Sequence, residues 1–196
     1  MSKLYVYFFC SRNKDNKEVF GFKKRSKTIL AYEEDEDKII KDFKKFVAEG
    51  VPGESSRMYR SVNSRNEEKI REEVIIRLLR DKLSMTQVER IVTSAAQKTE
   101  NREESKWLFD FDVDDKEKAY SFIHDVFTYF SLADRDKIET YRTPHGYAVI
   151  VPHGFDTREL MEKWKDYDIT LKRDELLFKH LERKEEAAVC ATQREA

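Results

Sequence analysis

Ser105-Lys-Trp-Leu-Phe-Asp-Phe-Asp-Val-Asp-Asp115 is the stretch on which the fold turns. Trp107, Leu108, Phe109, Phe111 and Val113 are strand formers. Asp110, Asp112 and Asp114 alternate with them. Side chains two apart on a strand share a face. A strand running to the end of this stretch would therefore set three carboxylates side by side, with Phe109, Phe111 and Val113 opposite. Adjacent carboxylates repel, and a hard divalent ion held by oxygen ligands is one way to relieve that. A solvated acidic turn at the end of the strand is the other.

Downstream, Ala119, Ile123, Val126, Phe127 and Phe130 recur at helical spacing over Lys116 to Phe130. Lys137 to Arg142 and Gly146 to Pro152 read as two strands joined by Thr143-Pro-His145. Asp156 caps a helix to about Lys165, and Ile169 to Leu171 and Leu176 to Phe178 read as a last strand pair. Strand, helix, strand, strand, helix, strand is the order of a ferredoxin-like or RNA-recognition-like palm. The predicted fold class is α+β, with a mainly antiparallel sheet and helices on one face.

Upstream, Leu4 to Cys10 is an apolar strand. Ser11 to Lys17 is a polar turn, and Glu18 to Phe22 reads as the returning strand of an N-terminal β-hairpin. The basic run Lys23 to Lys27 guards an edge. Asp35 to Ala48 is an amphipathic helix. Ser56 to Val62 is a strand with Met58, Arg60 and Val62 on one face and Arg57, Tyr59 and Ser61 on the other. Asn66 caps a helix from Glu67 to Lys82 that turns Ile70, Val74, Ile75, Leu78 and Leu79 inward. A further helix covers Thr86 to Lys98, and Lys98 to Ser105 reads as a mobile loop. The expected organisation is an N-terminal α/β part over 1–104, a palm-like core over 105–181, and a frayed or helical tail over 182–196.

The 196 residues suffice for a real core. Charged side chains make up 39% of them, yet the formal net charge is -1, so nucleic-acid binding would need a local patch rather than a global field. No Walker A or dinucleotide glycine pattern occurs. Cys10 and Cys190 form neither a disulfide framework nor a zinc spacing, which points to a reducing cytosol. Cysteine or serine triad chemistry has little support, with Cys10 in an apolar strand and Cys190 in the tail, and no membrane-spanning segment is legible.

Three features stand ready to converge on the open face of the palm. They are Asp110 with Asp112, Thr143-Pro-His-Gly146, and Tyr167-Asp168 with Lys172 beyond. Carboxylates from separate strands suit two-metal phosphoryl chemistry, and a histidine with cationic neighbours suits phosphate. In this order the features resemble the archaeo-eukaryotic primase (primase-polymerase) superfamily, in a small phage-type form. Leu108-Phe-Asp-Phe-Asp112 matches that family's first motif, Thr143-Pro-His145 its second, and Tyr167-Asp168 its third.

The resemblance implies that Asp110, Asp112 and Asp168 hold Mg²⁺ or Mn²⁺ and act in catalysis. It also implies that His145 contacts the phosphates of an incoming nucleotide, with Thr143 and Lys172 beside it. Arg57-Met-Tyr-Arg-Ser-Val-Asn-Ser-Arg65 resembles an upstream strand of small members of the group. Arg57, Arg60 and Arg65, interleaved with Tyr59, suit a nucleic-acid strand.

The implied function is binding of nucleotide or nucleic acid, extending to divalent-metal-dependent nucleotidyl transfer. Ala148 is apolar where related sequences carry a polar ligand. A non-catalytic palm-like module that binds nucleic acid, nucleotide or a host protein is therefore the alternative, and a metal-dependent nuclease is a third reading.

Overall fold

The computed structural model of the chain describes residues 2–80 and 85–185. Cys190 and most of the expected tail lie outside the described residues, as does the expected last turn of the second helix. The fold is α+β, with two four-stranded antiparallel sheets and, among the described residues, six α-helices.

The first sheet is built from β1 (Leu4–Ser11), β2 (Arg25–Tyr32), β3 (Ser55–Ser61) and β8 (Leu176–Arg183), in the order β2-β1-β3-β8. Tyr5, Tyr7 and Phe9 of β1 bury one face of it against Ile39, Phe43 and Phe46 of helix α1 (Glu36–Ala48). Leu4 and Val6 point the other way and meet Ile70 and Val74 of α2 (Glu67–Arg80) and Ile91 and Ala95 of α3 (Val88–Ala96). The period-two alternation of β1 thus feeds two separate cores.

The second sheet contains β4 (Trp107–Phe111), β5 (Glu139–Arg142), β6 (Tyr147–Val151) and β7 (Ile169–Lys172), in the order β5-β6-β4-β7. Phe109 and Phe111 of β4 lie fully buried with Val149 and Val151, beneath helix α4 (Lys116–Phe127) and helix α6 (Arg158–Lys163). Asp115 caps α4, accepting from the N–H groups of Glu117 at 3.0 Å and Lys118 at 3.1 Å. Trp164 donates its indole N–H to Asp125 at 2.8 Å and ties the end of α6 to α4. The short α5 (Leu132–Arg135) leads into β5. Both tryptophans lie in or against the core.

Several expectations are corrected. Glu18 to Phe22 is not a strand. The partner of β1 is β2, which pairs from Leu4↔Tyr32 to Ser11↔Arg25. Ile29 to Tyr32 offer an apolar edge without the glycine that interrupts Val19 to Phe22, and Phe20 is left fully exposed. Leu176 to Phe178 do not pair with Ile169 to Leu171. β7 pairs with β4, whereas β8 pairs with β3 in the other sheet and continues to Arg183, into the stretch read as tail.

On α2, Ile70 and Val74 are buried but Ile75 and Leu79 face solvent. The Lys98–Ser105 stretch is pinned rather than loose. Asn101, itself buried, donates to the Ala95 carbonyl at 2.9 Å, and the Glu103 N–H donates to the Ser64 carbonyl at 2.8 Å. β4 ends at Phe111, so Asp114 does not share a strand face with Asp110. It pairs instead with Arg142.

The crossing of β8 joins the sheets. Val62, Leu108, Ala148, Ile150 and Leu177 form one cluster drawn from both. Beside it, Arg65 and Asp174 form an ion pair at 2.9 Å, with each side chain only 4% exposed. Asn63 also donates to Asp174, at 3.2 Å, and to the Lys106 carbonyl at 3.1 Å. Asp174 holds this position at φ 117°, a conformation that favours glycine.

Removing one partner of a buried pair strands the other charge. Asp174→Ala is expected to destabilise the protein by about 3–5 kcal/mol in urea denaturation. Asp174→Gly is expected to cost roughly 1 kcal/mol less, because it loses the same contacts but relieves the backbone.

Candidate nucleotide and phosphate cleft

The alternation of β4 sends its phenylalanines under the helices and Asp110 to the opposite face. There Asp110 stands between Ala148 on β6 and Thr170 on β7. Lys172, two residues beyond Thr170 and so on the same face, donates its ammonium to Asp110 Oδ2 at 2.7 Å. Burial works against that ammonium. The hydrogen bond and charge of Asp110 outweigh it, and the Lys172 pKa is held above the ordinary lysine value.

Asp112 lies just past the end of β4. Its N–H donates to the Asp168 carbonyl at 3.0 Å, which brings the Tyr167-Asp168 turn alongside. Asp112 is exposed, yet partial desolvation by its surroundings pushes its pKa up, and the charges of Asp110 and Asp168 push it further, against weaker opposing effects from His145 and Lys172.

His145 sits in the turn between β5 and β6. The turn is closed by the Thr143 N–H donating to the Gly146 carbonyl at 3.0 Å. Gly146 lets this turn lie flat on the end of β4, because a Cβ there would stand 1.9 Å from the Phe111 carbonyl oxygen. The Thr143 hydroxyl is shielded from solvent and has no hydrogen-bond partner.

These groups line one wall of a cleft of about 400 Å³. The other wall belongs to the first sheet: Phe8 and Cys10 of β1, Arg57 and Tyr59 of β3, and Leu176 to Phe178 of β8, with Arg12 and Lys14 from the loop after β1. Tyr59 and Phe178 meet edge to face, ring centroids 5.9 Å apart. Asp15 binds two guanidinium groups, Arg57 at 2.7 Å and Arg12 at 2.9 Å. Burial opposes the Asp15 carboxylate, but both arginines hold its pKa below the usual range. Arg12, Lys14 and Arg57 outnumber Asp15 and Glu175, which also lines the cleft just before β8, so this wall is on balance cationic.

The structure therefore brings Asp110, Asp112, Thr143, His145, Lys172 and Arg57 to one cleft. Asp168 acts on Asp112 from beside it without lining it. Arg60 and Arg65 are engaged elsewhere: Arg60 lies over the Tyr5 ring at 4.4 Å and pairs with Glu33, and Arg65 holds Asp174. Sequence reasoning did not select Phe8, Arg12, Lys14 or Phe178. The only local signal was two cations directly after an apolar strand.

The carboxylate oxygens suit Mg²⁺ or Mn²⁺ in kind. Their placement does not complete a metal site. Among the described residues no group of three or more His, Cys, Asp or Glu side chains is arranged to hold an ion, and the Lys172 ammonium sits where a cation would meet Asp110.

Comparison of the chain with family models, curated proteins and solved structures returns no match.

A carboxyl whose pKa is raised by folding binds its proton more tightly in the folded state. Its contribution to stability is favourable in acid and is lost as pH rises through that raised value. Asp112→Asn is accordingly expected to raise the melting temperature at pH 7, with the gain shrinking on acidification. Lys172→Met removes a charge that lowers the Asp112 pKa, so NMR titration of the Asp112 carboxyl carbon should show it moving further up.

Proposed function

We propose that the chain binds a phosphate-bearing ligand, nucleotide or nucleic acid, in the cleft between its two sheets, and that it is built like a primase-polymerase palm. The observation that carries this reading is the meeting, in one cleft, of an aspartate strand, a histidine turn and a lysine strand with a wall of arginines and aromatic rings from a separate sheet. Phosphate oxygens find cationic donors in Lys172, Arg12 and Lys14, and a base finds ring edges in Tyr59 and Phe178.

The ferredoxin-like character of the palm is supported by its element order, by the strand order β5-β6-β4-β7, and by α4 and α6 lying over the same face. No helix among the described residues is long and apolar enough to cross a membrane. A cytoplasmic site of action is in keeping with Cys10 as a free thiol.

Binding is tested by calorimetric titration with a nucleoside triphosphate. Lys172→Met removes a cation from the cleft and leaves Asp110 without its counter-charge, so affinity is expected to fall about tenfold or more. Equal affinity in the variant, or none in the wild type, would refute the nucleotide form of the reading.

A second reading, metal-dependent nucleotidyl transfer, is favoured by Asp110 and Asp112 flanking the end of one strand beside His145. On that reading Asp110, Asp112 and Asp168 are the residues that would draw in Mg²⁺ or Mn²⁺. Incubation with template, nucleotides and manganese should then give a product that Asp112→Asn abolishes. Degradation of labelled DNA or RNA instead would mark a nuclease. The absence of either reaction, with binding intact in Asp112→Asn, would mark a non-catalytic module, whose partner could equally include a host protein.

A further inference from the structure

The segment that joins β1 to β2 is absorbed by nothing above except at its root. It runs from Arg12 to Lys24 and carries Arg12, Lys14, Lys17, Lys23 and Lys24 against only Asp15 and Glu18, in a chain whose formal net charge is -1. The segment therefore carries a local excess of positive charge.

Its base is firmly built. Asn16, 3% exposed, donates to the Arg12 carbonyl at 2.9 Å and the Ser55 carbonyl at 3.0 Å, and accepts from the Ser55 N–H at 2.6 Å. Asp15 clamps Arg12 and Arg57. Beyond Asn16 two tight turns follow, with the Val19 N–H donating to the Asn16 carbonyl and the Phe22 N–H to the Val19 carbonyl. Gly21 at φ 74° completes the bend.

Within these turns stands Phe20, 100% exposed. An exposed aromatic is unremarkable on a flexible end. Here it is carried on a pinned hairpin, flanked by exposed Lys17, Lys23 and Lys24, whose root lines the cleft through Arg12 and Lys14.

A cationic track with a free aromatic face is the recognition chemistry of single-stranded nucleic acid. The backbone follows the charges, and an unpaired base stacks on the ring. A duplex offers no unstacked base to Phe20. An acidic peptide would use the lysines but not the ring.

We infer that the β1–β2 hairpin is a guide for single-stranded nucleic acid: Lys23, Lys24 and Lys17 hold the backbone outside the cleft, Phe20 stacks on a base, and the strand continues past Lys14 and Arg12 into the cleft. This rests on the cleft reading and narrows its ligand to a strand with unpaired bases.

Fluorescence anisotropy with labelled oligo-dT and oligo-U, each about 20 nucleotides long, tests it on the full chain, with a duplex of the same length as control. Phe20→Ala is expected to weaken single-strand binding by roughly fivefold to a hundredfold, the loss typical of one stacked base, while Phe20→Trp restores it. Replacing Lys23 and Lys24 by Ala should lower the steepness of log affinity against log salt by about 1.4, ~0.7 for each lysine on a single strand. Because Phe20 is fully exposed, thermal melting of Phe20→Ala should match the wild type. The dT and U arms report which sugar is preferred, and a response to Phe20→Ala in either supports the inference.

Unchanged binding in Phe20→Ala, with binding lost in His145→Ala, would overturn the hairpin's role and leave the cleft reading standing. Duplex bound as tightly as single strand would overturn it as well. No oligonucleotide binding at all would also overturn it, and the nucleoside triphosphate titration would then decide whether the cleft reading falls with it.

Discussion

β4 is paired on both edges, so its alternation leaves no choice about where its side chains go. Phe109 and Phe111 are fully buried beneath α4 and α6, and each contributes apolar surface whose loss on truncation costs about 3–5 kcal/mol in a packed core. That burial forces Asp110, and Asp112 after it, to the opposite side of the sheet. The charged features of the cleft are arranged around the carboxylates presented there. Lys172 neutralises one of them, the Gly146 turn brings an imidazole beside the other, and the first sheet closes over them with a wall of opposite charge.

The two carboxylates are not equivalent. Asp110 has an ammonium within hydrogen-bond reach, whereas Asp112, its pKa raised by desolvation and then by the charges of Asp110 and Asp168, has only more distant cations to oppose them. Across the cleft the balance is reversed, since Asp15 is shared by Arg12 and Arg57. The site is thus polarised, with an acidic floor and a basic wall. A phosphate ester whose oxygens lie toward the wall avoids the repulsion that two free carboxylates would impose. Lys172, already seated on Asp110, makes the floor less acidic than a bare Asp-x-Asp pair.

The strand that carries Asp110 and the helix that follows it were legible, because each depends on neighbours in the chain. The Ile39, Phe43 and Phe46 stripe of α1 and the Asn66 cap of α2 were legible for the same reason. Asn66 accepts from the Lys69 N–H at 2.9 Å. The return strand of the hairpin was misplaced because Val19 to Phe22 has strand-like composition, and its competitor Ile29 to Tyr32 is recognised only when both are set against β1. On α2, Ile75 and Leu79 fit the helical period but fall outside the arc that α3 and the sheet cover.

The amino-acid sequence by itself determined which residues alternate, which faces are apolar, and that Asp110 and Asp112 would stand apart from Phe109 and Phe111. Those are consequences of backbone periodicity and solvation, which act over a few residues. Only the tertiary structure decided that β8 leaves β7 for β3, that Arg65 meets Asp174 across 109 positions of chain, and that Arg12, Lys14 and Tyr59 face the aspartates. Such pairings are chosen by competition among strands for the same edges and by the need to satisfy buried charge, and both are settled by the assembled core rather than by any local stretch.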